Sequence, residues 1–167
     1  MANLEPLIQS IPVAPLKLAS LEGCRTLADQ VNNYLVSFRH ESPTNVGQAD
    51  SLQGYCADSY LLECECPRFG SGEGKGVLKE SVRGCDLFIM VDVTNYSLTY
   101  RVNGYENHMS PDNHYQDLKR IISAADGKAR RINVIMPFLY EGRQHKRSKR
   151  ESLDCALMLQ ELVDMGV

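Results

Sequence analysis

The sequence contains no apolar stretch that approaches the roughly 18 residues needed to cross a membrane as a helix. Near its start, no basic segment precedes an apolar core, and Glu5, Pro6, Pro12 and Pro15 stand there instead, so no secretory leader is expected. These two absences predict a cytoplasmic protein without a membrane partner.

A strong excess of charge of either sign is also missing. The formal net charge is -3, which gives the chain as a whole no attraction for nucleic acid. We therefore expect no nucleic-acid partner, and any anion site must come from local clustering. A chain of 167 residues with 43% hydrophobic content can bury one substantial core. This predicts a single domain over residues 1–167.

Motifs for metal binding and nucleophilic catalysis are absent as well. The six cysteines show no CxxC pair with matching downstream ligands, which argues against a zinc site, and no Ser-His-Asp or Cys-His signature occurs. We expect reduced, structural thiols. Cys64 and Cys66 alternate with Glu63 and Glu65 in a strand-like run, so both thiols should face one side, towards the core.

What the sequence does contain is an alternation of two apolar periodicities. Strand-like runs occur at 16–21, 60–66, 76–80, 86–93 and 132–138, and helical stripes occur at 24–38, 115–125 and 153–163. The runs at 86–93 and 132–138 are typical of buried parallel strands. The pattern predicts an α/β fold with a mostly parallel sheet flanked by helices.

Some boundaries carry clear local signals. Ser110-Pro111 is a favourable N-cap and first-turn pair for the helix that ends at Asp126-Gly127. Asn103-Gly104 favours a type I′ turn, which predicts a small hairpin between the strand-like runs on either side.

Other boundaries are predicted from weaker patterns. Residues 37–58 contain Pro43, Gly47 and Gly54 without any apolar period, which predicts a long, mobile surface loop. The chain ends one residue after Gly166, which would close the last helix where an α/β fold normally enters its next strand. That ending suggests a truncated or split protein.

The densest charge cluster lies at 142–150, just beyond the predicted strand at 132–138. It holds Arg143, Lys146, Arg147, Lys149 and Arg150. Ligands bind at the carboxyl edge of parallel sheets, and cations there suit a polyphosphate, whose charge they neutralise and whose oxygens accept their hydrogen bonds. The alternative is a solvated basic loop. His145 stands among these cations, so neither a metal nor a general-base role is expected for it. The other three histidines are expected at the surface: His40, His108 and His114.

Residues 68–86 are rich in glycine, with Gly70, Gly72, Gly74 and Gly76 in alternation. Their composition is similar to a phosphate cradle, but the order that ends in Gly-Lys-Ser or Gly-Lys-Thr is missing. We favour a flexible turn between two strands, in which Phe69 either stacks on a base or fills the core.

Taken in order, these segments resemble the ribose-phosphate pyrophosphokinases over roughly residues 16–167. That family has a loop of the form Arg-Phe-x-(Asn/Asp)-Gly-Glu, then Lys-Glu-Ser-Val-Arg-Gly-Cys-Asp and an apolar strand, as residues 68–89 show here. It continues with a strand, Ile-Pro-Tyr, Tyr-x-Arg-Gln-Asp and a basic loop. This sequence has Met136-Pro137-Phe138, Tyr140 and Arg143-Gln144 in that order, with one extra residue after Tyr140.

The resemblance implies the phosphoribosyltransferase-like N-terminal domain of that family. It also implies the family's activity in nucleotide biosynthesis, the transfer of pyrophosphate from Mg-ATP to ribose 5-phosphate, which yields phosphoribosyl pyrophosphate and AMP. Carried over by position, the residues that would hold the adenine and phosphates of ATP are Arg143, Gln144, Lys146, Arg147 and Ser148. Those that would reach a neighbouring subunit's ATP site are Phe69, Ser71 and Glu73.

Two further positions match the family's regulatory site, which takes phosphate or ADP between subunits: Ser81 and Arg83. A homo-oligomer is therefore implied, commonly of dimers assembled into hexamers. The family's metal-binding His and its ribose-phosphate loop lie beyond the matched half. The resemblance thus implies Mg ligands outside this chain, ribose 5-phosphate binding only with the missing half, no catalytic residue here, and no synthetase activity of this polypeptide alone.

The sequence departs from the family pattern at several places. Ser71 replaces Asn or Asp, His145 replaces the Asp after Arg-Gln, and residues 151–156 lack the usual Pro-Ile and Lys. The segments at 37–58 and 95–110 are insertions relative to the usual form. Three functions stay open: part of an active synthetase, a non-catalytic regulatory or assembly subunit of the same family, or a module that senses ATP or ADP.

Overall fold

The computed structural model describes residues 12–41 and 54–167. Its strands are β1 (Leu16–Ser20), β2 (Leu61–Leu62), β3 (Cys64–Glu65), β4 (Val77–Leu78), β5 (Asp86–Met90), β6 (Thr99–Val102), β7 (Tyr105–His108) and β8 (Arg131–Ile135). Its helices are α1 (Arg25–Glu41), α2 (Pro111–Ala125) and α3 (Asp154–Asp164). A single 3₁₀ turn, Glu22–Cys24, leads from β1 into α1.

The central sheet has four strands in the order β2-β1-β5-β8, and every pairing in it is parallel. β5 lies inside this sheet, where Asp86 is paired with Leu16 of β1 and with Arg131 of β8. Leu87 and Ile89 of β5 are fully buried. The predicted α/β fold with a mostly parallel sheet is therefore confirmed.

Helices cover both faces of the sheet. On one face, Leu118 of α2 and Met158 of α3 pack in one cluster with Ile89. On the other face, Ala28 of α1 packs with Met90. Ile89 and Met90 are adjacent in β5 and point to opposite faces because side chains alternate along a strand. This double cover explains why β5 is nearly all apolar.

Two small antiparallel hairpins stand outside the central sheet, β3–β4 and β6–β7. Asn103 and Gly104 join β6 to β7 with φ angles of 50° and 84°, the left-handed values that a type I′ turn requires. The Oγ of Ser110 accepts a hydrogen bond from the backbone N–H of Asn113, and Asp126 ends α2 with φ 49°. The predicted hairpin and both ends of this helix are confirmed.

Several boundary predictions are wrong. The run predicted at 60–66 is divided between β2 in the central sheet and β3 in a hairpin, and the strand predicted at 86–93 ends at Met90. Helix α1 continues through Glu41, so residues 37–41 are helical and do not belong to the loop predicted at 37–58; residues 42–53 of that loop lie outside the described residues. Strand β8 ends at Ile135, and it occupies an outer position of the described sheet, where Ile135 is 37% exposed. The apolar run continues to Phe138, but residues 136–138 have left the sheet.

Not every residue of the predicted helical stripes is buried. In α3, Cys155, Met158 and Leu162 are buried, whereas Leu157 and Val163 are 58% and 66% exposed. A helix that contacts the sheet with one face cannot bury apolar residues on all sides. In the described part of the chain, no helix is long and apolar enough to cross a membrane.

Candidate functional site

The basic loop, residues 142–150, follows the carboxyl end of β8 and leads to α3, as the sequence predicts. Residues 143–150 are all exposed. The side chains of its five cations make no hydrogen bond and no ion pair within 12–41 and 54–167. The positive charge of the loop is therefore open to an external anion.

The Glu151 carboxylate is hydrogen-bonded to the carboxyl-terminal end of the basic loop. Ser148 donates to Oε2 of Glu151 through its backbone N–H at 3.2 Å and through its hydroxyl at 2.9 Å. These hydrogen bonds lower the pKa of Glu151, because they stabilise its charged form. The family resemblance assigns the Ser148 hydroxyl to a phosphate, but here that hydroxyl is hydrogen-bonded to Glu151.

Two stacked tyrosines fix the segment that enters the basic loop. The rings of Tyr140 and Tyr115 lie 4.5 Å apart and nearly parallel. The Tyr140 hydroxyl donates to Asp112 at 2.6 Å, and the Tyr115 hydroxyl donates to Glu161 at 2.8 Å. Burial and these acceptors raise the pKa of both phenols. The loop therefore starts from a point that is held by α2 and α3.

The extra residue after Tyr140 is accommodated in a tight turn. Glu141 has φ 53°, the N–H of Gly142 donates to Leu139 O at 3.0 Å, and the N–H of Gln144 donates to Glu141 O at 2.8 Å. Nδ1 of His145 lies 2.9 Å from Gly142 O, so this nitrogen carries the hydrogen, since a carbonyl can only accept. The turn directs the exposed Arg143 and Gln144 away from the sheet's core.

The tip, residues 69–73, closes the β3–β4 hairpin. The backbone N–H of Phe69 donates to Glu73 O at 2.8 Å, and that of Gly72 donates to Phe69 O at 2.9 Å. Phe69 is 56% exposed, so it does not fill the core. The Ser71 hydroxyl donates to the Glu73 carboxylate at 2.7 Å. The predicted turn between two strands is confirmed, and its three candidate residues project into solvent.

Packing, and not phosphate binding, accounts for the glycines behind the tip. A Cβ placed on Gly74 would overlap the guanidinium of Arg68, and one placed on Gly76 would overlap the backbone of Arg120. Glycine at both positions lets the hairpin approach helix α2 closely. The similarity in composition to a phosphate cradle therefore has a structural explanation here.

The hairpin is anchored to α2 by an ion cluster that the sequence did not reveal. Both guanidinium nitrogens Nη1 and Nη2 of Arg68 donate to the Asp117 carboxylate, at 2.6 and 2.7 Å, and Arg120 donates to it at 2.6 Å. The side chains of Arg68 and Asp117 are only 10% and 5% exposed. A signal was available: Asp117 interrupts the apolar stripe of α2 next to Leu118.

The prediction that His114 lies at the surface is wrong. It is 2% exposed, and its Nε2 lies 2.7 Å from Asn95 O. Since residues four apart share a helix face, His114 lies on the same side of α2 as the core residue Leu118. His40 and His108 are exposed as predicted.

A cavity of about 300 Å³ lies beyond the carboxyl end of β1, between the segment after β1, the β3–β4 hairpin, strand β6 and helix α2. β1 pairs with β2 on one side and with β5 on the other, so the strand order reverses beside its carboxyl end, a common ligand position in α/β sheets. Its lining mixes both signs of charge, with Glu22, Arg25 and Arg68 among the residues. That balance favours no single class of ligand.

The remaining candidates, Ser81 and Arg83, lie in the exposed turn between β4 and β5. The N–H of Arg83 donates to Ser81 Oγ at 3.3 Å. No hydrogen bond, ion pair or ring contact of the described chain joins this turn, the tip and the basic loop to one another. Within residues 12–41 and 54–167, no group of three His, Cys, Asp or Glu side chains is placed to hold a metal ion.

A parallel sheet covered by helices on both faces, with a basic loop beyond its carboxyl edge, defines an α/β protein whose sheet edge carries a cluster of exposed cations. Comparison with known families is more specific. The family described as the N-terminal domain of ribose phosphate pyrophosphokinase matches residues 16–166. The chain belongs to this family.

Similar proteins agree with this assignment. A ribose-phosphate pyrophosphokinase of Corynebacterium ammoniagenes is 29% identical over 153 residues, which cover 90% of this chain and 37% of the relative. One from Staphylococcus epidermidis is 28% identical over 105 residues, 62% of this chain and 28% of the relative. The phosphoribosylpyrophosphate synthetase structure from Mycobacterium smegmatis has a TM-score of 0.58 at 22% identity, over 92% of this chain and 40% of that one. The chain thus spans less than half the length of these proteins.

Proposed function

We propose that this chain is the nucleotide-binding N-terminal part of a ribose-phosphate diphosphokinase, which transfers pyrophosphate from Mg-ATP to ribose 5-phosphate. The observation that carries the proposal is the basic loop, which holds five exposed cations without a partner in the described chain, at the carboxyl edge of a parallel sheet. Phosphoryl transfer depends mainly on positioning and on neutralising phosphate charge. A loop of this kind supplies both.

In this proposal the basic loop binds ATP within one subunit. Arg143, Lys146 and Arg147 neutralise the phosphates, and the guanidinium groups donate paired hydrogen bonds to their oxygens. Gln144 faces the adenine. When the nucleotide binds, the Ser148 hydroxyl stops donating to Glu151 and donates to a phosphate oxygen instead. Mg arrives with the nucleotide, and its protein ligands belong to the part of the relatives outside the matched segment.

The tip completes the same proposal across a subunit boundary. Phe69, Ser71 and Glu73 are exposed and have no contact with the basic loop of their own chain, which suits residues that reach a neighbour's nucleotide. A homo-oligomer is therefore part of the proposed function. Ser81 and Arg83 belong to a regulatory site for phosphate or ADP, and the protein acts in the cytoplasm.

The ATP role of the basic loop is tested by calorimetry. Substitution Arg143→Ala should weaken ATP binding by about 1.5–3 kcal/mol, because a charge-assisted hydrogen bond is lost. The matched control is Arg101→Ala, which removes an exposed cation from β6 and should leave the affinity unchanged. Equal binding by wild type and Arg143→Ala, or no binding by either, would remove the proposed role of the loop.

A further inference from the structure

One face of strand β6 packs against the tip. Residues alternate along β6, so that Tyr100 and Val102 are half-buried whereas Thr99 and Arg101 are exposed. The guanidinium of Arg68 lies over the Tyr100 ring, 5.2 Å from its centroid. A Cβ placed on Gly72 would lie 3.0 Å from Cγ2 of Val102. The two half-buried residues of β6 therefore contact both the root and the end of the tip.

Helix α2 holds the two hairpins from one face. His114 contacts Asn95 O at the foot of the β6–β7 hairpin, and the Asn95 side chain donates to Gly23 O at 3.2 Å in the loop after β1. One turn further along α2, Asp117 receives both hydrogen bonds from Arg68. Since residues three apart share a helix face, His114 and Asp117 fix the two hairpins relative to each other.

We propose that the β6–β7 hairpin is a positioning element for the tip, and that Tyr100 and Val102 set the direction in which Phe69 and Glu73 are presented. A two-residue strand pair such as β3–β4 cannot by itself hold an exposed turn in one orientation. The ion cluster at Asp117 anchors the root of the tip to α2, and the contacts from β6 constrain its end. This inference deepens the proposed function. Its ATP-binding experiment rests on that function, whereas its experiment on the motion of the tip does not.

The mobility of the tip tests the proposal without any nucleotide. The chain contains no tryptophan but eight tyrosines, so Phe69→Trp places its one tryptophan on the tip, where it can be excited selectively at a wavelength that tyrosine does not absorb. Time-resolved anisotropy should show a larger amplitude of nanosecond motion when Tyr100→Ala or Val102→Ser is added. Tyr100→Phe keeps the ring under the guanidinium and should restore the motion to the Phe69→Trp level, as should the control Arg101→Ala on the exposed face of the same strand.

The effect on nucleotide binding is measured in chains that keep Phe69. Tyr100→Ala should weaken ATP about 2- to 10-fold, the cost of ordering one or two side chains on binding. The double variant Tyr100→Ala/Glu73→Ala should bind ATP only slightly more weakly than Glu73→Ala alone, because the effects of residues that act together are not additive. Circular dichroism shows which variants fold, and Val102→Ser serves if Tyr100→Ala does not.

The outcomes separate the two claims. Equal tip motion in Tyr100→Ala, Val102→Ser and Arg101→Ala overturns the positioning role, whatever ATP binding shows. Increased motion with unchanged ATP affinity supports the positioning role and counts against the nucleotide role of the tip. Increased motion with weakened affinity that Tyr100→Phe restores supports both.

Discussion

Three thiols on or beside the sheet stay protonated far above neutral pH. Burial raises the pKa of Cys24 and Cys64 to about 11 and that of Cys66 to about 12. The nearby Asp117 carboxylate adds to the effect on Cys66. In each case a thiolate would lose solvation on folding, so the folded state favours the neutral thiol.

These thiols should make the protein less stable at alkaline pH. Above pH 9, an unfolded chain releases the thiol protons while the folded chain retains them, so the free energy of unfolding falls as pH rises towards 11. Each thiol contributes a slope of at most about 1.4 kcal/mol per pH unit. Urea denaturation at several pH values should show a smaller slope for Cys66→Ala than for wild type.

A neighbouring apolar residue provides the control for that experiment. Leu78 packs against the same core cluster as Cys66 and does not titrate, so Leu78→Ala should lower stability equally at every pH. A slope in Cys66→Ala that equals the wild-type slope would contradict the retention of the Cys66 proton in the folded state.

Sequence reasoning succeeded for single residues whose partners are near in the chain. The alternation around Cys64 and Cys66 predicted their orientation, and the Ser110 cap needs only a residue three positions away. It failed for His114 and Asp117, whose partners Asn95 and Arg68 lie 19 and 49 positions away. A buried polar group is stable only with such a partner, and no local pattern shows where that partner is.

At the scale of elements, the β3–β4 hairpin is shaped by its approach to α2. Gly76 precedes β4 and lies directly against the backbone of Arg120, whereas Gly70 in the tip has no atom near its missing side chain. Two glycines of one loop therefore serve different purposes. The first is required by packing, and the second only gives the chain freedom.

This difference predicts opposite results for two matched substitutions. Gly76→Ala should lower the free energy of unfolding by about 1–3 kcal/mol, because a methyl group overlaps rigid helix backbone. Gly70→Ala should be neutral or stabilise by up to about 1 kcal/mol, because it only restricts the unfolded chain. Chemical denaturation measures both, and equal effects of the two substitutions would contradict the packing explanation.

Element types were easier to predict than element ends. The β6–β7 hairpin followed from Asn103-Gly104, whose positive φ angles define the turn locally. The end of α1 was missed because a polar stretch begins at Ser37 and the apolar stripe ends at Phe38, whereas the helix continues to Glu41. The end of β8 was missed because the apolar run to Phe138 does not end where its pairing with β5 ends, at Ile135.

At the scale of the whole molecule, the aligned segment covers 37% of the Corynebacterium ammoniagenes relative. The basic loop and the tip lie on separate loops of this chain, and the described residues hold no group of three metal ligands. Nucleotide binding and turnover can therefore be tested separately. The proposed binding uses this chain's cations, whereas turnover also needs a placed acceptor and a held metal.

We accordingly expect this polypeptide to bind ATP but to release no AMP when it is mixed with Mg-ATP and ribose 5-phosphate. A coupled assay for AMP measures turnover, and calorimetry on the same sample verifies that ATP binds. Adding a second polypeptide that carries the relatives' unmatched part should restore turnover if the chain belongs to an active synthetase. ATP binding without restored turnover would favour a non-catalytic subunit or a nucleotide sensor. AMP release by this polypeptide alone would refute the expectation, since the chain itself would then hold every group that the transfer needs.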